Sequence, residues 1–344
     1  MSHAGDAATN DQALAVTDPS GSGARPRARR GSPDFWPKYT LVFVLLLVVL
    51  IFSVAKPETF PTYTNLVSIL SSQTVLLTLA LGALFPLVAG EFDLSVGFAL
   101  GFTAMVLAVL AGQEGVPLVP AILIAIVAGG VIGGVNAFLV IRLRVNAFIA
   151  TLASGTVLQG LTLWISGGQV AANLPDGISE IGRTRIADMP VLVFVAGLLA
   201  IVVGLVLAKT AWGRYLYATG LGREAARLSG VKTGVLLAAA FILSGLMAGV
   251  AGVMQTAILG AANPDVGAQY LLPVFAAGFL GATAIRPGRF NVGGTVLALL
   301  LLAVGIAGLT QLGAPLWVSP VFNGLALIIA VALAVRRRDA LSKL

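Results

Sequence analysis

Residues 209–232 read KTAWGRYLYATGLGREAARLSGVK, a charged island between two long apolar runs at 190–208 and 233–259. Either flank is long enough to cross a bilayer, which takes about 20 apolar residues. The island is the longest basic connection that the membrane part presents to water. Within it Leu221, Ala225 and Leu228 recur at i, i+4 and i+7, while Arg223, Glu224 and Arg227 fall on the other side. That spacing predicts one short amphipathic helix lying across the surface of a membrane protein. Spacing alone is equally served by a solvated loop whose Lys and Arg only orient the chain.

Composition carries the same message outward. Of the 344 residues, 58% are hydrophobic and 10% charged, against about 25% charged in ordinary domains. A soluble globular protein is excluded, and a polytopic membrane protein remains. The net charge of +7 does not point to nucleic acid, because the basic residues sit in short connections between apolar runs. Cysteine is absent and the one histidine is His3, which excludes disulfides, thiolate chemistry, imidazole catalysis and His-rich metal sites.

The apolar runs fall at 39–55, 66–89, 94–112, 117–141, 146–166, 190–208, 233–259, 267–285, 291–311 and 316–335, about ten crossings. Residues 1–38 are polar and rich in small residues, the composition of a disordered tail. With that tail inside the cell, only Lys56, Arg183 and Arg185 of the 21 Lys and Arg face outward. The asymmetry predicts an even number of crossings with both termini cytoplasmic. The expected fold is all-α: a polytopic helix bundle over 39–338 with a broken helix near 90–97, followed by a short cytoplasmic tail at 339–344.

Several motifs stand out within this frame. Gly90-Glu91-Phe92-Asp93-Leu94-Ser95-Val96-Gly97 puts two carboxylates between hydrophobic runs. Acids near membrane depth are costly and usually functional; an interfacial turn with Ser95 capping the next helix is the other reading. Asn136, and Asn146 with Phe148 and Thr151 on the following helix, flank a short turn and build a helical hairpin. Their polar groups either face a path or make interhelical hydrogen bonds. Glycines at 129–134 and 245–252 predict close helix approach inside one subunit. The outer loop at 167–189 is long enough to project from the membrane and meet a partner. Residues 288–295 read GRFNVGGT, a phosphate-loop spacing with glycine in place of the lysine and no strand ahead, so a nucleotide is not cradled there.

Taken together, these stretches resemble the ribose-type permeases of ABC importers. Gly213-Arg214-Tyr215-Leu216-Tyr217-Ala218 followed by Glu224-Ala225-Ala226-Arg227-Leu228-Ser229-Gly230 is similar to that family's GRYIYALG…NEAARLSGI. Residues 93–97 match its DLSVG signature and residues 148–152 its FIATL run. Glu91 departs from the family's usual Ile, Asn146-Ala147 from the residues usual before FIATL, and Arg286-Pro287 from a Gly-rich turn.

The resemblance implies a coupling helix that docks on a cytoplasmic ATPase, using Arg214, Tyr215, Leu221, Arg223, Glu224, Ala225, Ala226, Arg227, Leu228, Ser229 and Gly230. It implies a translocation path that involves Glu91, Asp93, Ser95, Asn136, Asn146, Phe148, Thr151 and Asn263. It further implies a multi-pass subunit of the bacterial cytoplasmic (inner) membrane, surrounded by lipid. Such a subunit pairs with a second permease and receives a monosaccharide, a polyol or an autoinducer-type cargo from an extracytoplasmic binding protein. ATP and Mg belong to the ATPase partner and no cofactor to this chain. An ion-coupled secondary transporter is the rival reading, which normally requires ionisable relay groups within the spans.

Overall fold

The computed structural model describes the backbone of residues 35–342 and the side chains of residues 38–332. Residues 1–34 of the expected tail lie outside the described residues, and Phe35–Ala55 is already helix α1. After it come α2 (Tyr63–Ser72), α3 (Thr74–Val88) and α4 (Val96–Ala108), which runs on into a π-helical turn at Val109–Gln113. The chain continues through α5 (Leu118–Ile141), α6 (Ala147–Ser166), α7 (Asp176–Arg183) and a minimal hairpin of β1 (Arg185–Ile186) and β2 (Met189–Pro190). The second half comprises α8 (Val191–Lys209), α9 (Ala211–Leu221), α10 (Arg223–Leu228), α11 (Thr233–Leu259), α12 (Ala268–Gly281), α13 (Val292–Gln311) and α14 (Val318–Ser342).

Among the described residues seven helices are long and apolar enough to cross a membrane, and eight when α2 and α3 count as one bent span. Helix α12 and the apolar part of α14, Val318–Ala332, are shorter. At 1.5 Å per residue α12 covers only about 21 Å, less than the 267–285 run predicts, because the chain leaves the helix at Ala282 and turns through 283–290. The expected ten runs are thus all present as helices, two of them short. Leu46, Leu47, Leu50 and Ile51 on α1 and Leu198, Ile201 and Leu205 on α8 are exposed. Apolar surface on that scale fits a lipid surround.

The run at 66–89 is not one straight span. It bends by 43° between α2 and α3. The polar residues at the bend explain how this is tolerated: Ser71, Ser72 and Thr74 donate through their hydroxyls to the carbonyls of Val67, Ile69 and Ser71, occupying acceptors near the interrupted helical ladder.

Helices α3 and α11 form the centre. Nearly every side chain of α3 is buried, with Leu79 in one apolar cluster and Leu81 and Leu84 in another. Helix α11 lies against α3, α4 and α5. It reaches α5 closely because Gly129 faces Gly245: a Cβ on either glycine would overlap the other's carbonyl oxygen. The small-residue runs therefore do pack within one subunit. Gly245→Val is expected to destabilise the bundle by about 1–3 kcal/mol, the usual cost of overpacking a core, read as a lower unfolding temperature in detergent. An unchanged unfolding temperature would mean that this contact is loose.

The connections divide into two ends. At one, Ile285 N–H donates to the Lys38 carbonyl (3.1 Å), Tyr217 Oη donates to the Phe290 carbonyl (2.6 Å), and Glu91 meets Arg223. At the other, Ala171 pairs with Ala262, Tyr63 Oη donates to the Ala187 carbonyl, and Gln311 Nε2 donates to Asn65 Oδ1. The outer loop does not project freely as its length suggests. Ile178 on α7 is fully buried and Gly182 packs on the Ala257 carbonyl, so α7 is docked on the end of the bundle.

Candidate functional site

Residues 89–95, between α3 and α4, leave helical structure, and around them lies the main buried polar cluster among the described residues. Asp93 is 2% exposed. Its Oδ1 accepts from the Ser95 N–H (3.1 Å) and Ser95 Oγ (2.6 Å), and its Oδ2 accepts from Ser244 Oγ on α11 (2.8 Å). Asn136 Nδ2 on α5 donates to Ser95 Oγ (2.8 Å). The Leu94 N–H donates to Thr151 Oγ1 on α6 (3.0 Å), and that hydroxyl donates to the Ala147 carbonyl (2.7 Å). Ser95, Asn136, Thr151 and Ser244 are all buried.

These three contacts of the Asp93 carboxylate are all with donors, as a buried carboxylate requires. Through it the irregular segment and α4 are tied to α11, and through Ser95 and Leu94 to α5 and α6. Asp93 is not exposed at the break: two hydroxyls and a backbone amide enclose it. Asn136 Oδ1 is the one buried side-chain polar atom without a partner among the described residues. Asn136 also lines an apolar groove of about 950 Å³ between α5 and α6, where Ser154 is the other polar side chain.

Glu91 turns the other way. Its Oε1 lies 3.4 Å from Arg223 Nη1, in a polar cavity of about 650 Å³ that Arg144, Asn146, Glu224 and Arg227 also line. Burial raises its pKa above the ordinary carboxylate value, and the attraction of Arg223 offsets this only in part. Acidification therefore neutralises Glu91 before an ordinary surface carboxylate.

Directly behind Glu91 the backbone of Gly90, at φ +86°, meets the backbone of Gly220 at the end of α9. A Cβ on Gly220 would overlap the Val88 carbonyl oxygen, so only glycine permits this approach.

The basic island does not form the single helix that the i, i+4, i+7 spacing predicts. Gly222 is extended and separates α9 from α10. The helical phase is reset there, so Leu221 does not share a helix with Ala225 and Leu228. Ala226 is the residue buried against the protein. Leu221 and Leu228 are 71% and 84% exposed, and Ala225, Ser229 and Gly230 are exposed with them. Arg227 pairs with Glu224 at 3.1 Å. Tyr215 is exposed on α9, and Arg214 Nη1 reaches back to the Lys209 carbonyl at 3.4 Å.

The remaining expected site residues sit outside the buried cluster. Asn146 is exposed and caps α6, its Oδ1 accepting from the N–H groups of Phe148 and Ile149. Phe148 is exposed on the outside of α6. Asn263 lies at the opposite end of the bundle, where its Oδ1 accepts from the Asp265 N–H in a turn. Ser244 belongs to the cluster but is hidden in sequence among the small residues of α11. The phosphate-loop-like stretch is a capped helix start: Asn291 Oδ1 accepts from the Gly294 N–H, and its Nδ2 donates to the carbonyls of Gly281, Ala284 and Arg289.

The family model described as branched-chain amino acid transport system / permease component matches residues 65–331. The chain belongs to this family. The match runs from α2 into α14 and takes in both the Asp93 cluster and the basic island.

Among similar proteins, the D-allose transport system permease protein of Escherichia coli is 31% identical over 87% of this chain and 92% of its own length. The ribose import permease protein of Bacillus subtilis is 33% identical over 84% of this chain and 90% of its own length. The autoinducer 2 import system permease protein of Salmonella choleraesuis is 30% identical over 87% and 86%. No solved structure matches the chain. As a permease component with these spans, the protein is a multi-pass membrane transport subunit.

Proposed function

We propose that this chain is the membrane-spanning subunit of an ABC importer that moves a monosaccharide across the bacterial cytoplasmic membrane. It would work with a second permease subunit, cytoplasmic ATPase subunits and an extracytoplasmic binding protein. ATP and Mg would be held by the ATPase. The observation that carries the reading is that the buried Asp93 cluster and the exposed α9–α10 island meet at the same end of the bundle, through Glu91 and Arg223. A transport element that ties four helices together thus lies next to a surface suited to docking. Relatives named for ribose, D-allose and autoinducer 2 support a small hydroxylated solute.

In this reading α10 receives the nucleotide-driven movement of the ATPase, and the Asp93 cluster holds α4, α5, α6 and α11 in one of two packings that alternate access to the path. The basic residues at 142–144, 209–232 and 286–289 share the end that carries Glu91, and by the positive-inside rule this supports reading that end as the cytoplasmic one. Reporter fusions test this. A fluorescent protein joined after Lys232 is expected to fluoresce and alkaline phosphatase joined after Gly168 to be active; the reverse pattern would invert the topology and remove the island from any ATPase.

A further inference from the structure

Resting on that reading, we infer that Glu91, Arg223 and the Gly90–Gly220 contact form the transmission joint between the docking surface and the transport cluster. They act as positioning residues for Asp93. Glu91 and Arg223 are 132 positions apart in sequence, yet their contact joins the head of α10 to the irregular segment before α4. Two residues further along that segment is Asp93, and a backbone that advances at most about 3.6 Å per residue leaves little slack between them. The segment is also closed behind Glu91, where Glu91 N–H donates to the Pro86 carbonyl (2.9 Å) and Gly90 N–H to the Leu87 carbonyl (3.1 Å). A displacement of α9 or α10 therefore cannot be absorbed locally.

The parts of the joint do different work. The ion pair is partly solvated, its side chains 42% and 26% exposed, so it contributes little holding strength by itself. It sets which charge faces which within a cavity where Arg144, Arg227 and Glu224 offer other pairings. Stiffness comes from the glycines, whose backbones touch without a side chain between them. On its far side Asp93 is bonded to Ser244 of α11, the helix that the island leads into. Movement of the island thus reaches the same carboxylate from two directions.

Charge reversal in the assembled complex tests the joint. Permease, ATPase and binding protein are reconstituted in liposomes, and the solute imported per ATP hydrolysed is measured. In complexes that retain the ATPase, Glu91→Arg and Arg223→Glu are each expected to lower that ratio by about fivefold or more, and the double reversal to bring it back within about twofold, the signature of a direct pair. Gly220→Ala is expected to lower the ratio without changing any charge. Unchanged ratios in the single variants, or a double variant no better than the worse single, would overturn the joint. If the unsubstituted chain captures no ATPase at all, the permease reading falls, and the joint falls with it.

Discussion

Asp93→Ala is expected to abolish uptake, cutting it by at least about tenfold, while the protein still reaches the membrane. The substitution deprives the Ser95 N–H, Ser95 Oγ and Ser244 Oγ of their acceptor in one step. A buried donor left unpaired costs about 1–3 kcal/mol, and Ser95 is itself the acceptor that holds Asn136. The helices most affected are α4, α5 and α11, so the loss falls on their relative packing rather than on any one helix. Asp93→Asn separates the two contributions. It retains the volume and one acceptor oxygen for Ser95, and its –NH2 can donate to the Ser244 hydroxyl, so thermal stability in detergent should recover more than uptake does, because only the negative charge is lost. Uptake of labelled solute, normalised to permease in the membrane, provides the readout. Normal uptake by Asp93→Ala would reduce the segment to an interfacial turn.

Most of the bundle is legible in the sequence because lipid leaves few options: about 20 apolar residues without charges must be a helix. The bend between α2 and α3 is not legible in that way. Ser71, Ser72, Gln73 and Thr74 are common enough inside a membrane helix, and only their joint bonding to freed carbonyls reveals the break. The island fails for a related reason. A three-point spacing of Leu221, Ala225 and Leu228 assumes an unbroken helix, and one extended glycine at 222 undoes it.

At the candidate site, Asp93, Ser95, Asn136 and Thr151 could be picked out as polar groups in apolar runs, and the fold brings them together. Asn146 and Asn263, polar residues beside apolar runs, and Phe148, named by the resemblance to the FIATL run, lie apart, one as a cap, one in a turn at the far end and one on an outer helix face. Ser244 carries no signal of its own, since a serine among glycines and alanines reads as packing until its partner is known. Glu91 and Asp93, two positions apart, look like a pair in sequence. Their side chains serve different environments, one at a polar cavity and one in the core.

The second large effect is expected at Leu228 and Ala225. Both are exposed on the isolated chain, so replacing them with Glu costs the permease itself little. In a docked complex the same charge would be buried without a partner, a change that costs several kcal/mol in a closed interface. Leu228, at 84% exposure, is the apolar side chain on α10 with most area to gain from a partner's groove, at about 25 cal/mol per Å² buried. That contrast between a tolerated change in the free chain and a disruptive one in the complex distinguishes a docking helix from a solvated loop. The deciding measurement is co-purification of the ATPase with Ala225→Glu and Leu228→Glu permease in detergent, alongside the unsubstituted chain. The account predicts that both variants fold and enter the membrane normally but lose the ATPase; full recovery of the ATPase with both, and unchanged stimulation of its hydrolysis by loaded binding protein, would contradict it.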